Sequence, residues 1–491
     1  MPFHLDNKKL YQKNTLKKKL IFRAIRMGKI DVVKMLLQKG ANISTRVNYV
    51  NEDQRYEPSE TPLMVAVINE QFDIAKLLLE NGANPNDKDR LNRTSLHVAS
   101  VSYNDDETIV EIAKLLLSHG VNISARANYL GDKPGDAPAL TVLMTAASWG
   151  NNELVKLLLE NGANVNDKDR FDRTALHLAA QHAYIKVIKL LVENGANISL
   201  KAMRDGNNTV DKFTPLMFAV ESGGSDRYEA VKFLLEKGAN PNEETHPEGI
   251  TALNMAVRGN ETKILELLIA NGGDISIKKH FDDDPPNTEP SEGLLSIATI
   301  NGNKQIAEFL IKNGANPNER DRLNRTPLLM AVNMNEEEIA KLLIWQGANV
   351  SAESNYPEDE PGEMPSRTPL IMATRNGNYK MVKLLLENVA DVNYKDEENR
   401  TALHYAAKLG KASIVDLLLK NDADICAMAE DNHHTPLMVA TSFGNVDVVK
   451  LLLAHGANPF ENNSLGHSAM DVANESDQKE IVEIFSEWKR T

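Results

Sequence analysis

The chain has 491 residues, 42% of them hydrophobic and 25% charged, which is the balance of a folded globular protein and excludes a disordered one. Its net charge of −14 argues against a general nucleic-acid-binding surface, which needs a basic stripe. Cys426 stands alone, so no intramolecular disulfide can form, and no apolar run reaches the length of a signal sequence or a membrane span. A cytoplasmic protein is expected; secretion into a host cell would need a route without a cleaved signal.

Residues 1–42 carry eleven Lys/Arg and two Asp, a charge of +9, which leaves −23 on the other 449 residues. The basic segment 1–18 could contact phosphate or an anionic membrane, although a solubilising cap over an apolar edge is the blander reading. From Lys19 the chain keeps a beat. KLIFRA at 19 is a degenerate first copy of TPLMVA at 61, which returns at 94, 141, 174, 214, 251, 293, 326, 368, 401, 435 and 468. After most copies comes a leucine-rich stripe such as IAKLLLENGAN (74–84), whose three- and four-residue spacing marks one face of a helix. The spacings are 42, 33, 47, 33, 40, 37, 42, 33, 42, 33, 34 and 33. Odd copies end in NIS-like triplets and are mostly followed by long inserts; even copies mostly end in NPN or NVN and turn tightly. A pair of repeats is therefore the duplicated unit, and inserts at one repeated position should emerge on one face, with Tyr49, Tyr129 and Tyr356 together.

The pattern T-P-L-H-x-A, a polar turn, a leucine stripe, G-A-N and a hairpin, at a basic period of 33, resembles the ankyrin repeat over residues 19–491. The resemblance implies a continuous all-α solenoid of thirteen helix pairs with protruding β-hairpin loops: a basic segment 1–18, repeats over 19–466, and a capping repeat 467–491. Thr61 should cap a helix, Pro62 fill its first turn and Gly82 end the second helix in a left-handed conformation. The thrice-written stretch NGANPNDKDRLNRT (81–94) is the turn between repeats, with Asn92 and Asn324 where φ is usually positive. Lysine- and asparagine-rich writing also resembles the ankyrin effectors of intracellular bacteria.

The resemblance assigns His97, His177 and His404 to hydrogen bonds with nearby backbone. No catalytic role is read into them, because a base needs a nucleophile or substrate pocket beside it. Cys426 with His433 and His434 lacks the four ligands of a metal site, and FDDDPP (281–286) and YPEDEPGE (356–363) lack the spacing of a calcium loop. No phosphate loop, nucleophile elbow or HExxH occurs. A monomeric, non-catalytic scaffold without cofactors or metals is expected, binding another protein through its concave face and loops; an enzyme site built from the inserts is the alternative.

The candidate anchors are the hairpin-tip residues Leu91, Phe171 and Leu323, the insert residues Tyr49, Tyr129, Phe281 and Tyr356, and Trp149 and Phe443 at first-helix ends, with Met334, Leu409 and Leu465 in similar places. Tip side chains should have few folded-state contacts. Acidic inserts after Glu243 favour a basic segment on the partner. LLLENVADVN places Val389 where the other copies have Gly, apart from Asp422 in the next one, so the chain must accept strain there or end that helix differently.

Overall fold

A computed structural model describes residues 3–46, 59–101, 107–129, 139–204, 211–246, 248–278, 292–321, 323–355, 366–430 and 433–488. These contain twenty-six helices and three two-stranded antiparallel pieces, the all-α fold expected. They form two compact units, 1–247 with 266–272 and 248–265 with 273–491. Beyond the first pair, whose leading helix Phe3–Arg26 is the longer, each short inner helix is followed by a longer outer helix. Residues 1–18 do not form a separate segment, because the helix Phe3–Arg26 runs through that boundary into the first repeat.

The second repeat shows why these residues fold this way. Thr61 is extended, its hydroxyl accepts the Met64 N–H at 3.2 Å, and Pro62 supplies the first turn. The inner helix Pro62–Ile68 buries every residue from Pro62 to Val67, so it is apolar on all sides and needs neighbours on each. The outer helix Phe72–Glu80 buries only Ile74, Ala75, Leu78 and Leu79. Gly82 then takes φ 88°, and the Ala83 N–H returns to the Leu78 carbonyl at 3.0 Å.

The hairpin is organised by a buried aspartate. One carboxylate oxygen of Asp89 accepts the N–H groups of Leu91 and Arg93 at 2.8 and 2.9 Å, while Arg93 Nε donates to the other at 2.7 Å. Asp169 with Arg173 and Asp321 with Arg325 repeat the arrangement, and Asn92 and Asn324 have the expected positive φ of 58° and 56°.

Odd and even repeats differ for a physical reason. The last Asn of each NPN or NVN triplet clamps the next repeat: Asn166 donates to the Gly195 carbonyl at 3.0 Å and accepts the Asn197 N–H at 2.8 Å. Asn86, Asn318 and Asn393 do the same, and Asn242 donates to the Gly272 carbonyl. Odd repeats carry Ser or Cys at this position, too short to span the gap with both a donor and an acceptor. At four of these junctions a basic side chain serves instead. Arg126, Lys201 and Lys278 donate to the carbonyls of Lys168, Glu244 and Arg320 at 2.8–3.0 Å, and Arg46 reaches the Lys88 carbonyl. The described feet of three inserts pair as short antiparallel strands, Arg126–Ala127 with Leu140–Thr141, Ala202–Met203 with Lys212–Phe213, and Ser354–Asn355 with Ser366–Arg367.

The copy GLLSIA lacks the capping threonine, and the fold supplies a substitute. Glu319, from the following hairpin, lies against Gly293 where a Cβ would collide with its carboxylate. It accepts the Ser296 N–H at 3.1 Å, the bond Thr makes elsewhere. Burial pushes its pKa up.

Val389 keeps the ordinary helix ending and bears the strain, with φ 65° and its N–H on the Leu386 carbonyl at 3.1 Å. The side chain is 87% exposed, so no packing offsets the cost. Val389→Gly is expected to stabilise the protein by about 1–2 kcal/mol. Amide exchange from Asn388 onward should slow in the variant; a lower melting temperature in Val389→Gly would show the strain argument to be wrong.

Candidate partner-binding surface

In the second unit, the inner helices Pro327–Asn333, Pro369–Arg375, Ala402–Lys408 and Pro436–Ser442 pack side by side. Met334, Leu409 and Phe443 each stand eight residues after the capping threonine of their repeat and are exposed, Phe443 by 54%. Arg375 and Lys408 stand one position earlier. The Arg375 guanidinium lies 5.3 Å from the Tyr405 ring centre and the Lys408 ammonium 5.5 Å from that of Phe443, each cation attracted to the negative face of its ring. Between them is a hollow of about 170 Å³ lined by Arg400, His404, Tyr405, Lys408, Val439 and Phe443, among others. The Tyr405 hydroxyl donates to buried Asp396 at 2.6 Å; burial, then that carboxylate, pushes its pKa up to about 12. These are the traits of a contact surface, apolar patches edged by charge. In the first unit, Trp149 at the same repeat position is half-buried.

The tip residues behave differently from the expectation. Leu91 is only 9% exposed, because the next insert lies against it and the Asn128 N–H donates to its carbonyl at 2.8 Å. Phe171 is half-buried; its carbonyl accepts the Met203 N–H at 2.9 Å, and its ring meets that of Tyr129 at a tilt of 46°, 5.7 Å between centres. Arg170 and Arg173 lie over both rings, and Tyr129 donates to Asp169 while accepting from Arg173 at 2.8 Å. These tips therefore have contacts to lose. Leu323 is also half-buried, and Leu465 is exposed. Tyr49, Phe281 and Tyr356, with both acidic clusters, lie outside the described residues.

The three histidines share one geometry. Nδ1 accepts the N–H of Thr94, Thr174 or Thr401 at 3.1–3.2 Å, which leaves the ring proton on Nε2. Nε2 donates to the carbonyl of Leu140, Leu200 or His434 at 3.3, 2.9 and 3.1 Å, fastening each repeat to the chain that follows it. Burial lowers each pKa to about 4. Asn254 reproduces the cap in the TALN copy, accepting the Thr251 N–H at 2.8 Å, but its Nδ2 is buried without a partner because the amide is too short to reach onward.

Four exposed aromatics among the described residues, Tyr228, Trp345, Tyr379 and Trp488, escaped the sequence reading. Trp345 is 81% exposed at the end of an outer helix, where Glu80, Glu160, Glu236 and Glu387 end theirs. The break in that column of glutamates was the available signal. Among the described residues no group of three or more His, Cys, Asp or Glu could hold a metal ion, and no helix is long and apolar enough to cross a membrane.

Stacked helix pairs joined by hairpins and fastened to their neighbours define a helical-repeat protein. The family description "Ankyrin repeats (3 copies)" matches residues 47–127, 128–202, 199–279, 279–354, 355–429 and 426–489, and "Ankyrin repeat" matches 20–49; the chain belongs to the ankyrin-repeat family. Its relatives include the human transient receptor potential cation channel subfamily A member 1, 26% identical over 60% of this chain and 25% of that protein. The Caenorhabditis elegans ankyrin repeat and KH domain-containing protein mask-1 is 28% identical over 60% of this chain and 10% of that protein, and the mouse B-cell lymphoma 3 protein homolog 26% over 48% and 41%. The chain thus spans under half the length of each.

Two outcomes follow from these contacts. Phe171→Ala should lower stability by about 1–2 kcal/mol, through lost ring contacts at a half-buried site, and an unchanged melting temperature would restore the free tip. Each histidine has a folded pKa near 4, below its unfolded value of 6.5, so on acidification the unfolded chain takes the proton first. Stability present above pH 6.5 should fall towards pH 4 by about 1.4 kcal/mol per histidine per pH unit. Replacing all three with Asn should weaken the protein at pH 7 and flatten its stability between 6.5 and 4; parallel curves for the two proteins would exclude the histidines as the cause.

Proposed function

We propose that the protein is a non-catalytic binding scaffold that holds a partner protein against the exposed ends of its inner helices. The observation that carries this is the row Met334, Leu409 and Phe443, exposed at one repeated position and flanked by Arg375 and Lys408. Nothing in the folding of the repeat needs a large apolar side chain there, since Asn69, Ser222, Gly259, Asn301 and Asn376 fill the same position in other copies. The rings and cations suit a partner offering apolar groups next to carboxylates, and the acidic inserts suit a basic segment beside them. The finer reading, a host-directed effector, rests on the lysine- and asparagine-rich style alone.

The competing reading, an enzyme site built from the inserts, would call for convergent groups with shifted pKa values in a deep pocket. The strongly shifted histidines and Tyr405 described above each serve a structural hydrogen bond, which favours binding over chemistry.

A photo-crosslinking residue placed at 409 or 443 should capture the same protein from a cell extract, and one at the outer-helix position 450 should not. Phe443→Ala with Leu409→Ala should abolish that capture while shifting stability by only about 0.5 kcal/mol, as exposed substitutions do. Capture equal from positions 443 and 450, or unaffected by the double variant, would sink the proposal.

A further inference from the structure

The first helix pair, Phe3–Arg26 and Ile30–Gln38, has a face that nothing else in the described chain covers. Ile21, Phe22, Ile25, Val33 and Leu36 are buried and hold the pair to the array. In the second repeat the positions equivalent to 20, 23 and 32 are Pro62, Val65 and Ile74, all buried. In the first repeat they are Leu20, Arg23 and Val32, all exposed, so this edge turns away from the array. Leu16, Leu20 and Met27 recur at helical spacing opposite Ile21 and Ile25, with Leu16 exposed by 58%. Lys19, Arg23, Lys29 and Lys34 stand exposed among them, and over residues 15–46 Asp31 is the only acid.

We propose that this edge docks the protein on an anionic lipid surface. Apolar and cationic side chains alternate on one helix pair, which is the composition that places a helix at a bilayer interface. Lys and Arg stems can lie along the acyl boundary while their charges reach the headgroups. The exposed apolar groups here are aliphatic, which partition into lipid, whereas a single-stranded nucleic acid would be met by aromatic stacking. The remaining chain carries −23, so an anionic membrane repels it and only this end can approach. The contact is peripheral and reversible.

The test is sedimentation of the full chain with vesicles of phosphatidylcholine alone and of phosphatidylcholine with phosphatidylserine. Binding should need phosphatidylserine and weaken with added salt. Lys19→Glu with Arg23→Glu should reduce partitioning by about thirtyfold or more, at about 1 kcal/mol per basic residue near the surface. Leu16→Ser with Leu20→Ser should reduce it by about tenfold, with helicity and melting temperature unchanged since both leucines are exposed. Equal sedimentation with both vesicles, or none with either, overturns the proposal. So does phosphatidylserine binding that survives the leucine substitutions and is competed by duplex DNA, because the edge would then be a site for any polyanion.

Discussion

An inner helix of seven residues that is apolar on every side cannot persist by itself. A helix this short has barely repaid its nucleation, and each side chain from Pro62 to Val67 would meet water without neighbouring repeats. Burial between neighbours is therefore the constraint from which the rest follows. It explains why the capping threonine recurs, since an inner helix wedged between others has no water to satisfy its first N–H groups. It also explains why Glu319 is recruited when the chain writes Gly293 instead: a cap supplied from the next hairpin is as good as one supplied locally, provided the neighbour is stacked in register.

Stacking alone does not fix the junctions, and here the chain uses two devices in turn. An asparagine amide, donor and acceptor at once, ties even repeats to odd ones. A long basic side chain reaching a backbone carbonyl ties each of the first four odd repeats to the even one that follows. Histidine adds a third tie, from the inner helix of its repeat to the chain beyond it. In a one-dimensional array each tie acts locally, so a defect such as Val389 need not propagate. Positions bound into these ties have no freedom to serve a partner. Those left over, the final residues of inner helices and the outer edge of the first pair, are where apolar groups can be exposed without cost to the fold.

Tip residues such as Leu91 and Phe171 illustrate the distinction. In a single repeat a hairpin tip projects and looks available. In the array the following insert lies beside it, donates a backbone N–H to its carbonyl and covers its side chain. Tyr129 and Phe171, separated by 42 residues, meet only because successive repeats place them side by side.

The sequence by itself determined the repeat, the helix pairs, the capping threonines and the left-handed helix ends, because each depends on residues within a few positions of one another or on a periodicity that survives variation. It also marked the alternation of odd and even repeats, though not its cause. What the tertiary structure alone decided is which side chains remain free. Whether Leu91 is covered, whether Phe443 stays open, whether Glu319 can reach Gly293 and whether Val389 finds a contact all depend on the neighbouring repeat, 20 to 45 residues away. That distance is invisible to local pattern, and the physical quantity it controls is burial.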